Sequence, residues 1–219
     1  MMDARFWHER WEKNEIPFHE KKTNPVLRKY FGRLALRKGA RVFVPLCGKT
    51  LDIHWLLSKG YRVAGAELSK IAVEQLFAEL GVEPKISQMA GGRGSKYSAR
   101  NIDIFVGDIF GVTRPKLGRV DAIYDRAALV ALPENVRRRY AAHLVRITNR
   151  APQLLATFDY DQKAMPGPPF SISNSELVER YGQSYELVLL ASASVRGGLK
   201  GKCAAVENVW LLRRKTTSV

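Results

Sequence analysis

Beyond its N-terminal segment, the sequence alternates between short apolar runs and amphipathic helical patterns. Residues 41–46 (RVFVPL) predict a buried strand, residues 51–58 predict a helix, and residues 61–68 (YRVAGAEL) predict a second strand. Ser69 is a favourable N-cap for the amphipathic helix that follows, and Gly81 is a typical helix stop. The order strand, helix, strand, helix is typical of βαβ units on a parallel sheet.

The rest of the chain continues this alternation. Further strands are predicted at residues 101–106, 120–124, 153–158, 185–195 and 204–212, and further helices at 134–147 and 173–181. Residues 90–100 (AGGRGSKYSAR) are polar and glycine-rich, so we predict a loop there. The last two apolar runs predict an antiparallel hairpin at the sheet's edge. We therefore expect one domain over residues 1–219: an N-terminal helical lid over 1–40, and over 41–213 a doubly wound, mostly parallel α/β core.

The charge is strongly basic, with 36 Lys and Arg against 21 Asp and Glu, a formal net charge of +15. Such a charge raises the possibility of a polyanionic partner. The basic residues are nevertheless dispersed, and they form no aromatic-interleaved platform of the kind that stacks single-stranded bases. We therefore interpret most of them as solvated surface residues and do not expect nucleic acid as a partner. A basic, non-enzymatic nucleic-acid-binding module stays open as an alternative.

Several classes of protein are disfavoured by simple patterns. Cys47 and Cys203 have no second Cys or His at ligand spacing, so we expect neither a disulfide framework nor a metal site. Residues 1–10 are charged throughout and lack the apolar core of a signal peptide. The apolar runs are too short to cross a bilayer. We expect a cytoplasmic protein that does not enter a membrane, and a monomer.

In open α/β sheets, ligands bind beyond the carboxyl ends of the strands. Glu67 ends the second predicted strand, 21 residues after Leu46, where a carboxylate can bind the ribose hydroxyls of a dinucleotide or of S-adenosylmethionine. The turn after the first strand, residues 45–50 (PLCGKT), has one glycine, which does not suit a pyrophosphate. It also lacks the first glycine of a phosphate-binding loop, because position 43 is Phe. The pattern therefore favours S-adenosylmethionine.

Several separated motifs together resemble one family. They are residues 41–49 (RVFVPLCGK), 65–69 (GAELS), 124–132 (YDRAALVAL) and 166–170 (PGPPF), preceded by the pattern Phe6-Trp7-x-x-x-Trp11 with Phe18-His19. In their order and spacing these segments resemble the thiopurine S-methyltransferase family. The similarity runs from about residue 4 to residue 213, nearly the whole chain.

The resemblance implies a Rossmann-like class I methyltransferase fold that uses S-adenosylmethionine and releases S-adenosylhomocysteine. The acceptors it implies are small aromatic or heterocyclic thiols, and bacterial relatives are also associated with methylation of selenium and tellurium oxyanions. By position, the implied cofactor contacts are Trp7, Trp11, Leu46, Gly48, Glu67, Asp108, Ile109 and Arg126. The implied substrate contacts are Phe18, Arg126, Pro169, Phe170 and Arg196. No catalytic acid or base is implied, because positioning suffices to methylate a thiolate.

Simpler interpretations stand beside these roles. The rings of the lid could only pack the first helix onto the domain, Glu67 could be a solvated strand end, and Arg126 could pair with Asp125. A nucleic-acid-directed methyltransferase would explain the charge. However, adenine-N6 enzymes carry Asp or Asn before Pro-Pro-aromatic after strand four, whereas here Gly167 precedes that triplet, and it follows strand five. Two features depart from the family pattern: the basic charge and a shortened Gly/Lys-rich link over residues 197–202.

Overall fold

The structure of the protein is a computed structural model that describes residues 4–89, 91–92 and 94–215. Within these residues the α-helices are α1 (Ala4–Glu12), α2 (Pro25–Tyr30), α3 (Leu51–Ser58), α4 (Lys70–Leu80), α5 (Arg114–Leu117), α6 (Glu134–Ile147) and α7 (Asn174–Tyr181). The strands are β1 (Arg41–Pro45), β2 (Arg62–Glu67), β3 (Lys85–Gln88), β4 (Ser95–Ala99), β5 (Ile102–Val106), β6 (Ala122–Arg126), β7 (Gln153–Asp159), β8 (Tyr185–Ser194) and β9 (Val206–Arg214).

These strands form one mixed sheet in the order β3-β4-β5-β2-β1-β6-β7-β9-β8. The five central strands, β5, β2, β1, β6 and β7, run parallel to one another. The C-terminal pair is antiparallel, with β9 on β7 and β8 outermost. The structure thus confirms the predicted mostly parallel α/β sheet and its C-terminal edge hairpin.

Helices cover both faces of the central strands. Val42 and Val44 of β1 pack with buried side chains of α2, α3 and α4, whereas Phe43 between them packs with α6 and α7. Because successive side chains of a strand point to opposite faces, a strand that is buried on both sides needs a continuous apolar run. Such runs are what the sequence shows at β1, β2, β6 and β7.

Side-chain caps set several helix boundaries. The Ser69 hydroxyl accepts a hydrogen bond from the N–H of Ala72 at 3.3 Å, and Gly81 ends α4 in the left-handed region at φ 66°. Thr50 caps α3 in the same way, through the N–H of Asp52. The predicted start and end of α4 are confirmed, because local cap chemistry decides both.

One prediction for the first half of the sheet is wrong. Residues 95–99 of the predicted 90–100 loop form β4, which pairs antiparallel with β5 and with β3. This hairpin lies at the sheet's edge; β3 has no buried residue, and in β4 only Tyr97 is buried. A strand with so little burial carries no apolar run, so its sequence resembles that of a loop. Ala90 and Arg93 of the predicted loop lie outside the described residues.

The N-terminal segment contains α-helices, as expected, and the first begins at residue 4; Met1–Asp3 lie outside the described residues. α1 and α2 are separated by an irregular stretch, and Asn24 caps α2 through the N–H of Val26 at 2.8 Å.

Cys47 and Cys203 are free thiols. No helix in the described ranges has both the length and the apolar character that crossing a membrane requires.

Candidate active site

The loop after β1 bends sharply at the carboxyl edge of the sheet. Leu46 and Gly48 both adopt positive φ, at 45° and 50°. A Cβ atom on Gly48 would lie 3.0 Å from Cζ2 of Trp11, so the backbone here is covered directly by the ring of the N-terminal helix. Glycine serves position 48 for two reasons, the left-handed backbone and this close approach.

Glu67 lies at the end of β2 and connects that loop to the start of α4. Its Oε2 accepts a hydrogen bond from the N–H of Gly48 at 2.7 Å, and its Oε1 accepts one from the N–H of Ser69 at 2.8 Å. The side chain is buried, which excludes the interpretation of a solvated strand end. Burial raises the pKa of Glu67, and the two N–H donors act against that rise.

The carboxylate of Glu67 still has acceptor capacity after these two bonds, because each oxygen carries two lone pairs. A pair of ribose hydroxyls can donate hydrogen bonds to such oxygens. The loop beside them has no side chain at Gly48, so a ligand there would meet the backbone. Glu67, Leu46 and Gly48 therefore fit the nucleoside part of S-adenosylmethionine.

The three aromatic side chains of the expected lid come together. The Trp7 and Phe18 rings lie 5.7 Å apart, and the Trp11 and Phe18 rings 5.8 Å apart, both edge-to-face. Trp7 and Trp11 are one helical turn apart in α1, so they present one face to Phe18 on the segment that follows. The Trp11 ring is buried and covers Gly48, so the cluster lies over the loop after β1.

Arg126 ends β6 and contacts the segment between α1 and α2. Its guanidinium forms an ion pair with the carboxylate of Glu20 and donates a hydrogen bond to the carbonyl of Phe18 at 3.4 Å. The suggested pairing with Asp125 is wrong: that side chain accepts hydrogen bonds from the hydroxyl of Tyr140 and the N–H of Leu129 instead. Adjacent residues of a strand point to opposite faces, which separates Asp125 from Arg126.

Asp108 and Ile109 follow β5 at the same edge. The Asp108 carboxylate caps a short 3-10 turn by accepting the N–H of Phe110 at 3.0 Å. Ile109 is buried, and its carbonyl oxygen lies 2.9 Å from Nε2 of His143. The buried Ile109 therefore holds the turn on the core, while the Asp108 side chain is exposed at the edge of the sheet.

The segment after β7 is irregular, as its prolines predict, and several hydrogen bonds hold it. The hydroxyl of Tyr160 donates to the Pro169 carbonyl at 2.6 Å, and the Phe170 N–H donates to the Val130 carbonyl at 2.6 Å. The guanidinium of Arg137 lies over the Phe170 ring, 5.9 Å from the ring centroid. Pro169 and Phe170 are thus fixed against the turn that follows β6.

In the link between β8 and β9, the predicted residue Arg196 is exposed in the turn after β8. A second residue of this link, Lys200, was not predicted from the sequence. Lys200 instead donates a hydrogen bond to the Pro168 carbonyl at 2.6 Å, and burial together with the charge of Arg10 lowers its pKa. Lys200 therefore lies where the link, α1 and the segment after β7 approach one another.

Two carboxylates near Arg126 also escaped the sequence analysis. Glu20 is its ion-pair partner, and Glu207, at the start of β9, is half-buried. Burial raises the pKa of Glu207, while the positive charge of Arg126 acts in the opposite direction. No spacing signal links residues 20, 126 and 207: the strand order places β6 and β9 on either side of β7, and the segment between α1 and α2 places Glu20 beside Arg126.

The structure therefore brings Trp7, Trp11, Phe18, Gly48, Glu67 and Arg126 into one connected set of contacts. The turn at Asp108 and the segment at Pro169 and Phe170 lie at the same carboxyl edge of the sheet, and Arg196 is exposed beyond it. The side chains of the described residues include no group of three or more His, Cys, Asp or Glu that could hold a metal ion.

Solved structures with a similar fold share little sequence with this chain. A 1,6-didemethyltoxoflavin-N1-methyltransferase of Burkholderia thailandensis superposes with a TM-score of 0.64 at 14% identity, covering 96% of this chain and 87% of that one. A TehB-like S-adenosylmethionine-dependent methyltransferase of Corynebacterium glutamicum gives 0.58 at 13% identity, covering 97% and 98%. These likenesses show the class I methyltransferase fold.

Sequence relatives are much closer. The family profile of thiopurine S-methyltransferase matches residues 2–215. A thiopurine S-methyltransferase of Xanthobacter autotrophicus is 57% identical over 214 residues, 97% of this chain and 100% of its own length, and one of Teredinibacter turnerae is 52% identical over 217 residues, 99% and 100%. The chain therefore belongs to the thiopurine S-methyltransferase family, and it is an S-adenosylmethionine-dependent methyltransferase.

Proposed function

We propose that this enzyme transfers a methyl group to the sulfur of small aromatic and heterocyclic thiols. The observation that carries this proposal is the position of the aromatic cluster: Trp11 lies on Gly48, whose N–H is held by Glu67. An acceptor stacked on these rings would lie beside the methyl donor. The names of the relatives, which are thiopurine S-methyltransferases, support the same acceptor class.

For the methyl donor, we assign the ribose hydroxyls to Glu67 and the backbone beside them to Leu46 and Gly48. Asp108 and Ile109, at the end of β5, would bind the adenine. The rings of Trp7 and Trp11 would cover the donor, because aromatic faces attract a sulfonium cation. This arrangement supports binding of the whole nucleoside along one edge of the sheet.

For the acceptor, we assign one aromatic wall to Phe18 and a second to Pro169 and Phe170. Arg126 would meet the acceptor between them, or an edge of the donor, and Arg196 would contribute from the turn after β8. The guanidinium of Arg126 is ion-paired with Glu20, so part of the positive charge of Arg126 is balanced before any acceptor binds.

When bound, S-adenosylmethionine supplies an electrophilic methyl group on a sulfonium, whose departure as a neutral thioether removes charge. An acceptor bound as its thiolate would form the new bond to that methyl carbon as the bond to the sulfonium breaks, so no proton would have to be removed by a side chain. No negative charge builds up on a leaving group, so no oxyanion hole is needed. The residues around the site then act by holding the reacting atoms in line and by excluding water, and positioning alone can supply about 7 kcal/mol or more.

The test is methyl transfer from radiolabelled S-adenosylmethionine to 6-mercaptopurine, with selenite and duplex DNA as competing acceptors in the same buffer. We expect labelled thioether as the main product. Glu67→Gln should lower its formation, whereas Glu74→Gln, an exposed carboxylate paired with Lys70 on α4, should not. Label on selenite but not on the thiol, or on DNA alone, would refute the proposed acceptor class.

A further inference from the structure

The roles proposed above for methyl transfer use only Arg126 and Arg196 of the 36 Lys and Arg residues. Several other arginines line a cleft of about 700 Å³. The cleft lies where the parallel strands begin: residues 118–121 precede β6, residues 148–152 precede β7, and Arg214 ends the antiparallel β9. Arg126, by contrast, ends β6. The cleft and the candidate active site are therefore separated by the length of β6, roughly 15 Å for five residues.

Arginine dominates the lining of this cleft. Arg114, Arg119, Arg150 and Arg214 line it, against the single carboxylate of Asp121. That carboxylate is 3.3 Å from Nε of Arg119 and also accepts the N–H of Arg41 at 2.8 Å.

The other three cleft arginines, at positions 114, 150 and 214, form no ion pair and no side-chain hydrogen bond within residues 4–89, 91–92 and 94–215. Like charges that converge without counterions raise the electrostatic potential of a concave surface. An anion bound there would relieve that repulsion.

Two of these arginines converge on one buried group. The hydroxyl of Tyr185 donates to the Ala151 carbonyl at 3.0 Å, and burial raises the pKa of Tyr185 to about 12. The Thr148 side chain and then the positive charges of Arg150 and Arg214 act against that rise. Arg214 is the partner of Tyr185 in the β8–β9 ladder, and Arg150 directly precedes Ala151, so both lie beside the same phenol. Arg150 and Asn149 also adopt positive φ, at 58° and 55°, and the N–H of Arg150 bonds back to α6 at 3.0 Å. The turn that presents Arg150 is thereby fixed.

The lining also indicates the class of anion. Guanidinium groups bind phosphate oxygens through two parallel hydrogen bonds, and several of them suit a ligand with more than one phosphate. No aromatic side chain lines the cleft in the described part of the chain, so it offers no platform for stacked bases. We propose that this cleft binds a compact polyphosphate group, either as a free polyphosphate or as the triphosphate of a nucleotide.

The proposal is tested by titrating the full-length protein with inorganic tripolyphosphate in a calorimeter at constant ionic strength. We expect one saturable site, with affinity that falls as salt rises. Arg150→Gln and Arg214→Gln should each weaken binding by about tenfold, the usual order for a lost charged hydrogen bond. The matched control is Arg138→Gln on the first half of α6. It removes the same charge from an exposed side chain paired with Glu179, and it should leave the affinity within about twofold.

Titration with ATP distinguishes a nucleotide from a free polyphosphate as the ligand. Equal affinity for ATP and tripolyphosphate supports recognition of the triphosphate alone, and tighter binding of ATP that is still lost in Arg150→Gln supports a nucleotide. Three results would overturn the proposal: no saturable binding, an equal loss in Arg138→Gln, or duplex DNA that binds without competition from tripolyphosphate. Binding of S-adenosylhomocysteine and thermal unfolding of each variant confirm that the fold is kept.

Discussion

The guanidinium of Arg126 is ion-paired with the carboxylate of Glu20, although 106 residues separate them. Both oxygens of Glu20 also accept hydrogen bonds from the side-chain amide of Asn24, at 3.2 and 3.1 Å. The backbone N–H of Asn24 in turn donates to Asp52 on α3 at 2.7 Å. This chain of contacts ties the segment that carries Phe18 to the α/β core.

We expect Arg126→Lys to lower kcat/KM for 6-mercaptopurine by about tenfold, because lysine lacks the planar fork that contacts two groups at once. The lysine could keep the pair with Glu20, but its single nitrogen replaces two nitrogens that contact Glu20 and the Phe18 carbonyl separately. Steady-state kinetics checks this, with Arg138→Lys as the control at an exposed position. Unchanged kinetics in Arg126→Lys would contradict a role of the guanidinium fork both at the acceptor and in holding the lid segment.

We expect Glu67→Gln to weaken binding of S-adenosylhomocysteine by about 10- to 100-fold, the range for a lost hydrogen bond to a charged group. The amide keeps one acceptor oxygen but turns its NH₂ toward the N–H of Gly48 or of Ser69. Calorimetry measures the affinity, and Glu74→Gln on the exposed face of α4 is the matched control. Equal affinity in both variants would contradict the ribose role.

We expect Trp11→Ala to lower both stability and affinity for S-adenosylhomocysteine, the latter by at least about tenfold because aromatic and cation–π contacts are lost together. Trp55→Ala is the control: that ring packs edge-to-face on Phe31 at 5.5 Å and should affect stability alone. Thermal unfolding and calorimetry on both variants separate the two effects. If Trp11→Ala loses no more affinity than Trp55→Ala, the lid is only a packing element.

Asp125 should make stability depend on pH. Burial raises its folded pKa from 3.8 to about 6, so the folded state favours the protonated acid. The stabilisation is therefore complete below the unfolded pKa and is lost as pH rises through 6. For this fully buried group the loss is about 2 kcal/mol between pH 4 and 7, from 1.36 kcal/mol per pKa unit.

The measurement for Asp125 is urea unfolding of the wild type and of Asp125→Asn across that pH range. The amide keeps an acceptor for the N–H of Leu129, and the hydroxyl of Tyr140 can turn to accept from it. The stability of the wild type relative to the variant should fall as pH rises. Asp161→Asn, at an exposed position, should show no such trend. Parallel curves for all three proteins would falsify the assignment.

Much of the fold was predictable from the sequence. The central strands β1, β2, β6 and β7 are buried on both faces, so each appears as a continuous apolar run. The boundaries of α4 were predictable because Ser69 and Gly81 act within a few residues of where they stand. The β3–β4 hairpin was not, because an exposed edge strand lacks the burial that leaves a pattern.

The candidate site divides along the same line. Trp7 and Trp11 were predictable as a pair since a helical turn places them on one face, and Glu67 was predictable because it ends a strand. The partners of Arg126 and Lys200 were not, because these contacts cross long stretches of chain.

By itself, the sequence determined the local elements, the ends of the central strands and the family, since each of these depends on residues close together along the chain. Only the tertiary structure decided which distant side chains meet. Arg150 follows α6 and Arg214 ends β9, and they share one cleft because β9 lies next to β7 in the sheet. Glu20 meets Arg126 for a similar reason, since the segment before α2 is held over the end of β6 by packing and hydrogen bonds.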